Sequence, residues 1–230
     1  MTQVADLGRE VPFPVLVEPT LLVIGYAGRD EASVRHHIDE LAAIGIAPPP
    51  TVPMVYELPA ELVTTDGLLA VHGARTSGEV EPVLVRAAGA WHLAVGSDHT
   101  DRELEALDVR DSKAACPKPL SRSAIRLDRD PVTRGLDDDW DALEVTSEID
   151  GVAYQRGTLA SLRVPSDLIA HATRTDPGGD LVVFGGTVPL VGGTFRYGSR
   201  FSATLGGEGW ALRLDYTTHD ETASPDDTES

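Results

Sequence analysis

Apolar positions along the chain follow two different spacings. Around residues 18–25 they are contiguous, Leu21-Leu-Val-Ile24, and stop at Gly25, which predicts a buried strand. The spacing then lengthens. Val34, Ile38, Leu41 and Ala42 fall on one stripe of an amphipathic helix over residues 30–44, with Asp30 placed to cap its start and Gly45 to stop it. Pro48, Pro49, Pro50 and Pro53 then impose an extended linker. From about residue 66, β-patterned runs dominate: 67–72, 79–86, 91–95, 143–149, 152–154, 180–184, 194–201 and 210–216. Helices interrupt them near 101–107 and near 166–173, the second opened by Pro165. The pattern predicts an α+β protein, mostly β, with no linker that would divide residues 1–219. Residues 220–230 are acidic and polar, and are expected to form a disordered tail.

Charge narrows the partners. The chain has 230 residues and a formal net charge of −18, which opposes binding to phosphate backbones and so excludes nucleic acid. No apolar run approaches the ~20 residues that span a bilayer. The first residues lack the basic start and apolar stretch of a signal peptide. A single cysteine, Cys116, precludes an intramolecular disulfide and suits a reducing cytoplasm. The expected partner is a small molecule. Asparagine is missing and glutamine occurs only at Gln3 and Gln155, which together with the excess acid suits adaptation to salt or heat.

Lysine is confined to Lys113 and Lys118 in one ten-residue run that also holds Cys116. Arginine is permanently charged, whereas lysine is a compact charge whose pKa shifts on burial. The run therefore either needs such a group or is what compositional depletion left behind. Cys116, with no adjacent base, is expected to be a small packed residue, and Lys118 an ordinary surface one.

The acids offer candidate chemistry. Glu79 and Glu81 alternate on a strand, so they share a face about 6.5–7 Å apart. Like charges there repel unless a cation lies between them, and a hard divalent ion takes such oxygens. The alternative is a solvated edge. Asp98 follows at a strand end, just before a helix. His37 and Glu40 are an i,i+3 pair on the first helix, a spacing that lets a carboxylate orient an imidazole as a general base; His36 is the neighbouring alternative. The chain has no nucleophile elbow, P-loop, C-x-x-C or H-E-x-x-H motif.

In their order these segments resemble the fumarylacetoacetate hydrolase superfamily, most closely its acylpyruvase and oxaloacetate decarboxylase branch. Gly28-Arg-Asp with His37-Ile-Asp-Glu40 is similar to the family's lid segment, and Gly78-Glu79-Val-Glu81 to its metal strand. Ser97-Asp98-His-Thr-Asp-Arg102 resembles the segment that carries the third metal carboxylate and a substrate arginine. Ser112-Lys113-Ala-Ala-Cys-Pro resembles the lysine segment. Asp150-Gly-Val-Ala-Tyr-Gln155 and Gly185-Gly-Thr187 match two later motifs. Ser97 stands for the usual Asn, Glu103 for Asp, Pro82 follows the second Glu, and Val188 intrudes before Pro189, as in an outlying branch.

The resemblance implies a mixed β-sandwich or roll with a few short helices, in a homodimer. It implies Mg²⁺ or Mn²⁺ on Glu79, Glu81 and Asp98, with Lys113, His37 and Glu40 catalytic and Arg102, Thr187 and Gln155 binding substrate. The implied activity is hydrolysis of a C–C bond beside a ketone in a 2-oxo acid or 1,3-dicarbonyl substrate. Decarboxylation, isomerisation or hydration at the same metal-enolate site is the alternative, and an acidic binding module without activity is the second.

Overall fold

Two β-sheets face each other across a shared hydrophobic core. The structure, a computed structural model, describes residues 3–4, 7–43, 48–133, 135–174 and 178–222; for residues 3, 4, 37, 40, 41 and 43 it describes the backbone alone. The larger sheet has eight strands in the order β1 (Gln3–Val4), β2 (Gly8–Pro12), β12 (Ser123–Leu127), β9 (Ala90–Ser97), β8 (Val80–Ala87), β15 (Leu181–Phe184), β3 (Thr20–Gly25) and β4 (Met54–Leu58). The second has five, in the order β14 (Val152–Thr158), β13 (Glu144–Ile149), β16 (Arg200–Gly207), β17 (Trp210–Asp220) and β6 (Leu68–Val71). Two-residue ladders join β5 (Val63–Thr64) to β11 (Lys118–Pro119) and β7 (Thr76–Ser77) to β10 (Thr100–Asp101). The helices are α1 (Glu31–Ala43), α2 (Arg102–Glu105), α3 (Val109–Ala114), α4 (Asp137–Trp140) and α5 (Pro165–Ala172).

Alternation along β8 and β9 explains why these central strands are apolar on both faces. Val80, Leu84, Leu93 and Val95 pack toward the second sheet, against Val145, Leu205, Leu212 and Tyr216. Val83, Val85 and Ala94 point the other way, into a second cluster with Val182, Phe184 and Leu120. Val109 and Ala114 of α3 lie against this outer cluster. The outer face is therefore where a helix meets the end of the metal-strand candidate.

The expected helix over 30–44 is observed as α1, and Asp30 does cap it, accepting from Ala32 N–H at 3.0 Å and from the Ser33 hydroxyl at 2.7 Å. Val34 and Ile38 of its stripe are half-buried, whereas Ala42 is exposed. The helix near 101–107 is observed as the short α2, and Asp108, accepting from Asp111 N–H at 2.9 Å, starts a further helix, α3, beyond it.

One expectation needs correction. Residues 194–199 are not strand: β16 starts at Arg200 because its partner β13 ends at Ile149, where the chain turns at Asp150 and Gly151. Strand β17 continues to Asp220 because β6 lies parallel to it, and the Asp220 carboxylate accepts from Gly73 N–H at 2.9 Å; residues 223–230 lie outside the described residues. The proline-rich linker leads straight into β4, and β2 and β12 are additional strands of the large sheet.

Candidate metal centre

The acids are assembled by strand register. Val80 pairs with Ser97 in the antiparallel β8–β9 ladder. One residue beyond the ladder, Asp98 N–H donates to the Glu79 carbonyl at 3.0 Å, so Glu79 stands opposite Asp98. Side-chain alternation then sends Glu79, Glu81 and Asp98 to the outer face, while Val80 and Ser97 turn toward the second sheet. One oxygen from each carboxylate lies within 4.8 Å of the others, closer than the ~6.5–7 Å that separates alternate residues along a strand. Asp98 is wholly buried and Glu81 is 3 % exposed.

Both lysines converge on Asp98. Lys113, carried in by α3, donates to Asp98 Oδ2, and Lys118 Nζ lies 3.3 Å from Oδ1. Lys118 is not the surface residue expected. It is fully buried, and its ammonium also donates to the carbonyls of His99 at 2.6 Å, Cys116 at 3.0 Å and Lys113. Its backbone pairs with Val63, so the run after α3 is held on one side by a ladder and on the other by its own lysine. Cys116 is packed and 1 % exposed, as expected.

The three residues expected to bind substrate are engaged with the protein itself. Arg102 donates from Nε to the Ser77 hydroxyl at 2.8 Å and from one terminal nitrogen to Glu105 at 2.8 Å, with the other 3.4 Å from Glu79. Gln155 has its amide filled. Its Oε1 accepts from Val80 N–H at 2.8 Å and the Ser147 hydroxyl at 3.0 Å, and its Nε2 donates to Thr187 at 2.7 Å and the Val188 carbonyl at 2.9 Å. An amide offers two donors and two acceptor positions, so Gln155 props the start of β8 and has nothing left for a substrate. Thr187 donates to the Val80 carbonyl at 2.8 Å and remains partly exposed.

The His37 and Glu40 side chains lie outside the described residues; their backbone is in α1, and the neighbouring His36 is exposed. The chain entering α1 is anchored. Arg29 forks onto the Asp141 carboxylate at 2.8 and 2.6 Å and donates to the Leu162 carbonyl at 2.9 Å.

The family model described as "Protein of unknown function (DUF2848)" matches residues 24–216. The chain belongs to this family. The match takes in every candidate site residue from His37 to Thr187. No curated protein matches the chain. Among solved structures, a 5-carboxymethyl-2-hydroxymuconate delta-isomerase from Mycobacterium smegmatis superposes with a TM-score of 0.63 at 16% identity, covering 91% of this chain and 82% of that one. A protein classed as a fumarylacetoacetate isomerase/hydrolase from Oleispira antarctica gives 0.61 at 19% identity, with 90% and 96% covered. A 2-hydroxyhepta-2,4-diene-1,7-dioate isomerase from Mycobacterium marinum gives 0.59 at 13% identity, with 90% and 77% covered. This DUF2848 member therefore has the fumarylacetoacetate hydrolase-like α+β fold.

Its acids are electrostatically unequal. Burial pushes the Glu81 carboxyl well above its usual range, and the neighbouring Asp98 charge adds to this; the Lys113 charge and the Gly186 N–H at 2.9 Å only partly offset them. Gly186 reaches Glu81 from a backbone at φ 91°, a conformation that favours glycine, and a Cβ there would meet that of Ala27 at 2.6 Å. Glu79 is also raised, by burial, against the pull of Arg102 and Lys113. Asp98 goes the other way: burial opposes its charge, but Lys113 and Lys118 outweigh that and hold it at about 2. Burial likewise opposes the charge on Lys113, and Asp98, Glu79 and Glu81 raise its pKa in spite of it.

An all-oxygen donor set with two carboxyls resisting ionisation fits a hard divalent cation, which would lie between the converging oxygens and relieve their repulsion. Sequence reasoning missed several neighbours. Tyr26, a non-glycine residue at φ 57°, and Tyr56 both stand within electrostatic reach of Lys113. His99 is buried behind Asp98, with Nδ1 2.8 Å from the Tyr216 hydroxyl and Nε2 without a hydrogen-bond partner among the described residues. For Tyr26 the sequence signal was its place directly after the strand-ending Gly25.

Proposed function

We propose that the protein is a divalent-metal-dependent enzyme, using Mg²⁺ or Mn²⁺, that cleaves a C–C bond beside a ketone in a 2-oxo acid or 1,3-dicarbonyl compound. The observation that carries this reading is the convergence of three carboxylates on one face, Glu81 and Asp98 buried and Glu79 partly so, with the Lys113 ammonium seated against Asp98. Glu79, Glu81 and Asp98 would hold the ion, which supplies Lewis-acid polarisation of the substrate's chelating oxygens. Lys113, buried and kept charged by its acidic neighbours, would stabilise negative charge developing on a substrate oxygen. Arg102 neutralises Glu79 from the side and fixes its orientation. Gln155 and Thr187 brace the start of β8, so the acids are held by a rigid strand. On this reading His37, oriented by Glu40, activates the attacking water as α1 closes over the site in a cytoplasmic homodimer.

Isomerisation at the same site is the second reading, favoured by the two isomerases among the structures of like fold. Both readings are tested by following loss of ultraviolet enol absorbance from acylpyruvates, oxaloacetate and fumarylpyruvate-like diketones, with products resolved by chromatography. Cleavage by the wild type, lost by at least about 100-fold in Lys113→Ala, is the expected result. A shifted double bond with intact carbon chain would favour the isomerase, and no turnover of any of these substrates would sink both.

A further inference from the structure

Four non-glycine residues among the described ones have a positive φ, and Tyr26 differs from the other three. Ala88 and Asp150 open two-residue hairpin turns, between Ala87 and Ala90 and between Ile149 and Val152, where the turn itself asks for that conformation. Glu18 lies in an exposed loop. Tyr26 is half-buried and directly follows β3 at φ 57°, a conformation that strains a bulky side chain. A glycine would make this bend without strain, and the chain does place glycines close by, at Gly25 and Gly28. The phenol is what the position keeps.

The chain is fixed on both sides of the bend. Gly25 pairs with Met54 in the β3–β4 ladder; beyond the bend the Ala27 carbonyl accepts from Arg163 N–H at 2.9 Å, and Arg29 N–H donates to the Ser161 carbonyl at 2.9 Å. Along β3, Ile24 faces the second sheet and Gly25 faces outward, where a Cβ would meet the Tyr56 ring at 2.9 Å. Strict alternation would return Tyr26 to the core side. The left-handed bend turns it outward instead, within electrostatic reach of Lys113, Tyr56 and Glu105. Ala27 then packs inward, against the Gly186 whose N–H holds Glu81. Among the described residues the Tyr26 hydroxyl has no hydrogen-bond partner. Burial, and after it the Glu105 charge, raise the phenol above its usual range against the pull of Lys113, so it stays protonated and able to donate.

We propose that the Tyr26 hydroxyl is a substrate-contacting donor, placed with the Lys113 ammonium to bind the substrate oxygen on which negative charge develops. This role rests on the reading above, in which the acids and their metal hold the chelating head. Lys113 supplies charge and Tyr26 a neutral, directional O–H. Both are set before the substrate arrives, the condition under which such donors stabilise developing charge best. The strained backbone at residue 26 is what holds the hydroxyl on the outer face.

Calorimetry on the full chain loaded with Mn²⁺ tests this contact without requiring turnover, with oxalate as a planar mimic of a 2-oxo acid enolate. Tyr26→Phe should bind Mn²⁺ and melt as the wild type does, and should bind oxalate about tenfold more weakly. The strain has its own readout: Tyr26→Gly should melt about 2–4 °C above Tyr26→Ala, reversing the usual order of these two residues. Oxalate bound equally by the wild type and Tyr26→Phe, or a loss of oxalate affinity matched by a loss of Mn²⁺ affinity, would overturn the contact while the metal-head reading stands. Tyr26→Ala melting as high as Tyr26→Gly would show no strain at residue 26 and overturn the assignment as well. Failure of the wild type to bind Mn²⁺ or oxalate would remove that reading, and the contact with it.

Discussion

The two sides of the acid cluster solve the problem of a buried carboxylate in opposite ways. On the Asp98 side the protein supplies its own cations, and each oxygen has a lysine ammonium beside it. On the Glu81 side the only hydrogen bond to the carboxylate among the described residues is the backbone N–H of Gly186, and with the Lys113 charge it still leaves the carboxyl resisting ionisation. One side is finished by the fold; on the proposed reading a bound ion completes the other. A divalent ion is matched to the second condition, since it neutralises carboxylates that the chain has left near each other.

The sharpest break of this contrast is Lys118→Met. It would strand Asp98 and leave the carbonyls of His99, Cys116 and Lys113 without their shared donor. Removing one member of a buried pair costs about 3–5 kcal/mol, or a melting temperature lowered by roughly 10 °C in a chain of this size. Chemical denaturation would measure it. A variant as stable as the wild type would mean that Lys118 does not support the Asp98 side.

A smaller effect separates the two sides by pH. The folded-state pKa of Asp98 lies at about 2, below its ordinary value of 3.8. Its contribution to stability is thus present above the ordinary value and is lost as pH falls toward about 2. Glu81 is raised above its ordinary value of 4.5, so the folded protein favours the protonated form; stability declines as pH rises from that value through the raised pKa. Metal-free protein should therefore lose denaturant resistance in both directions, and Mg²⁺ should abolish the loss on the alkaline side alone. A Glu81→Gln variant that keeps the alkaline decline would assign it to another group.

Much of this was legible in the sequence, for physical reasons that vary with position. The β8–β9 strands announce themselves by contiguous apolar runs, and alternation puts Glu79 and Glu81 on one face without further information. The pairing partner is not local, so that Asp98 stands opposite Glu79 follows from register alone. Lys118 was misread because its burial depends on the chain reversing after α3, a tertiary event that the flanking prolines do not reveal. The motif alone did not reveal the partners of the Gln155 amide, which bonds to Val80, Ser147, Thr187 and Val188, because they come from three separate segments. Residues 194–199 looked like strand because their composition suits one, and they lack a partner where β13 ends.

The measurement closest to the central claim is a thermal melt of metal-free protein titrated with Mg²⁺ and with Mn²⁺, run in parallel on Glu81→Gln. The wild type should gain stability with metal concentration, by about 2.7 kcal/mol at 100 times the dissociation constant. Glu81→Gln, which removes one of the converging oxygens' charges without removing its bulk, should fold at least as well as metal-free wild type and show little or no metal-dependent gain. Equal gains in both proteins, or none in the wild type, would contradict a metal centre on Glu79, Glu81 and Asp98.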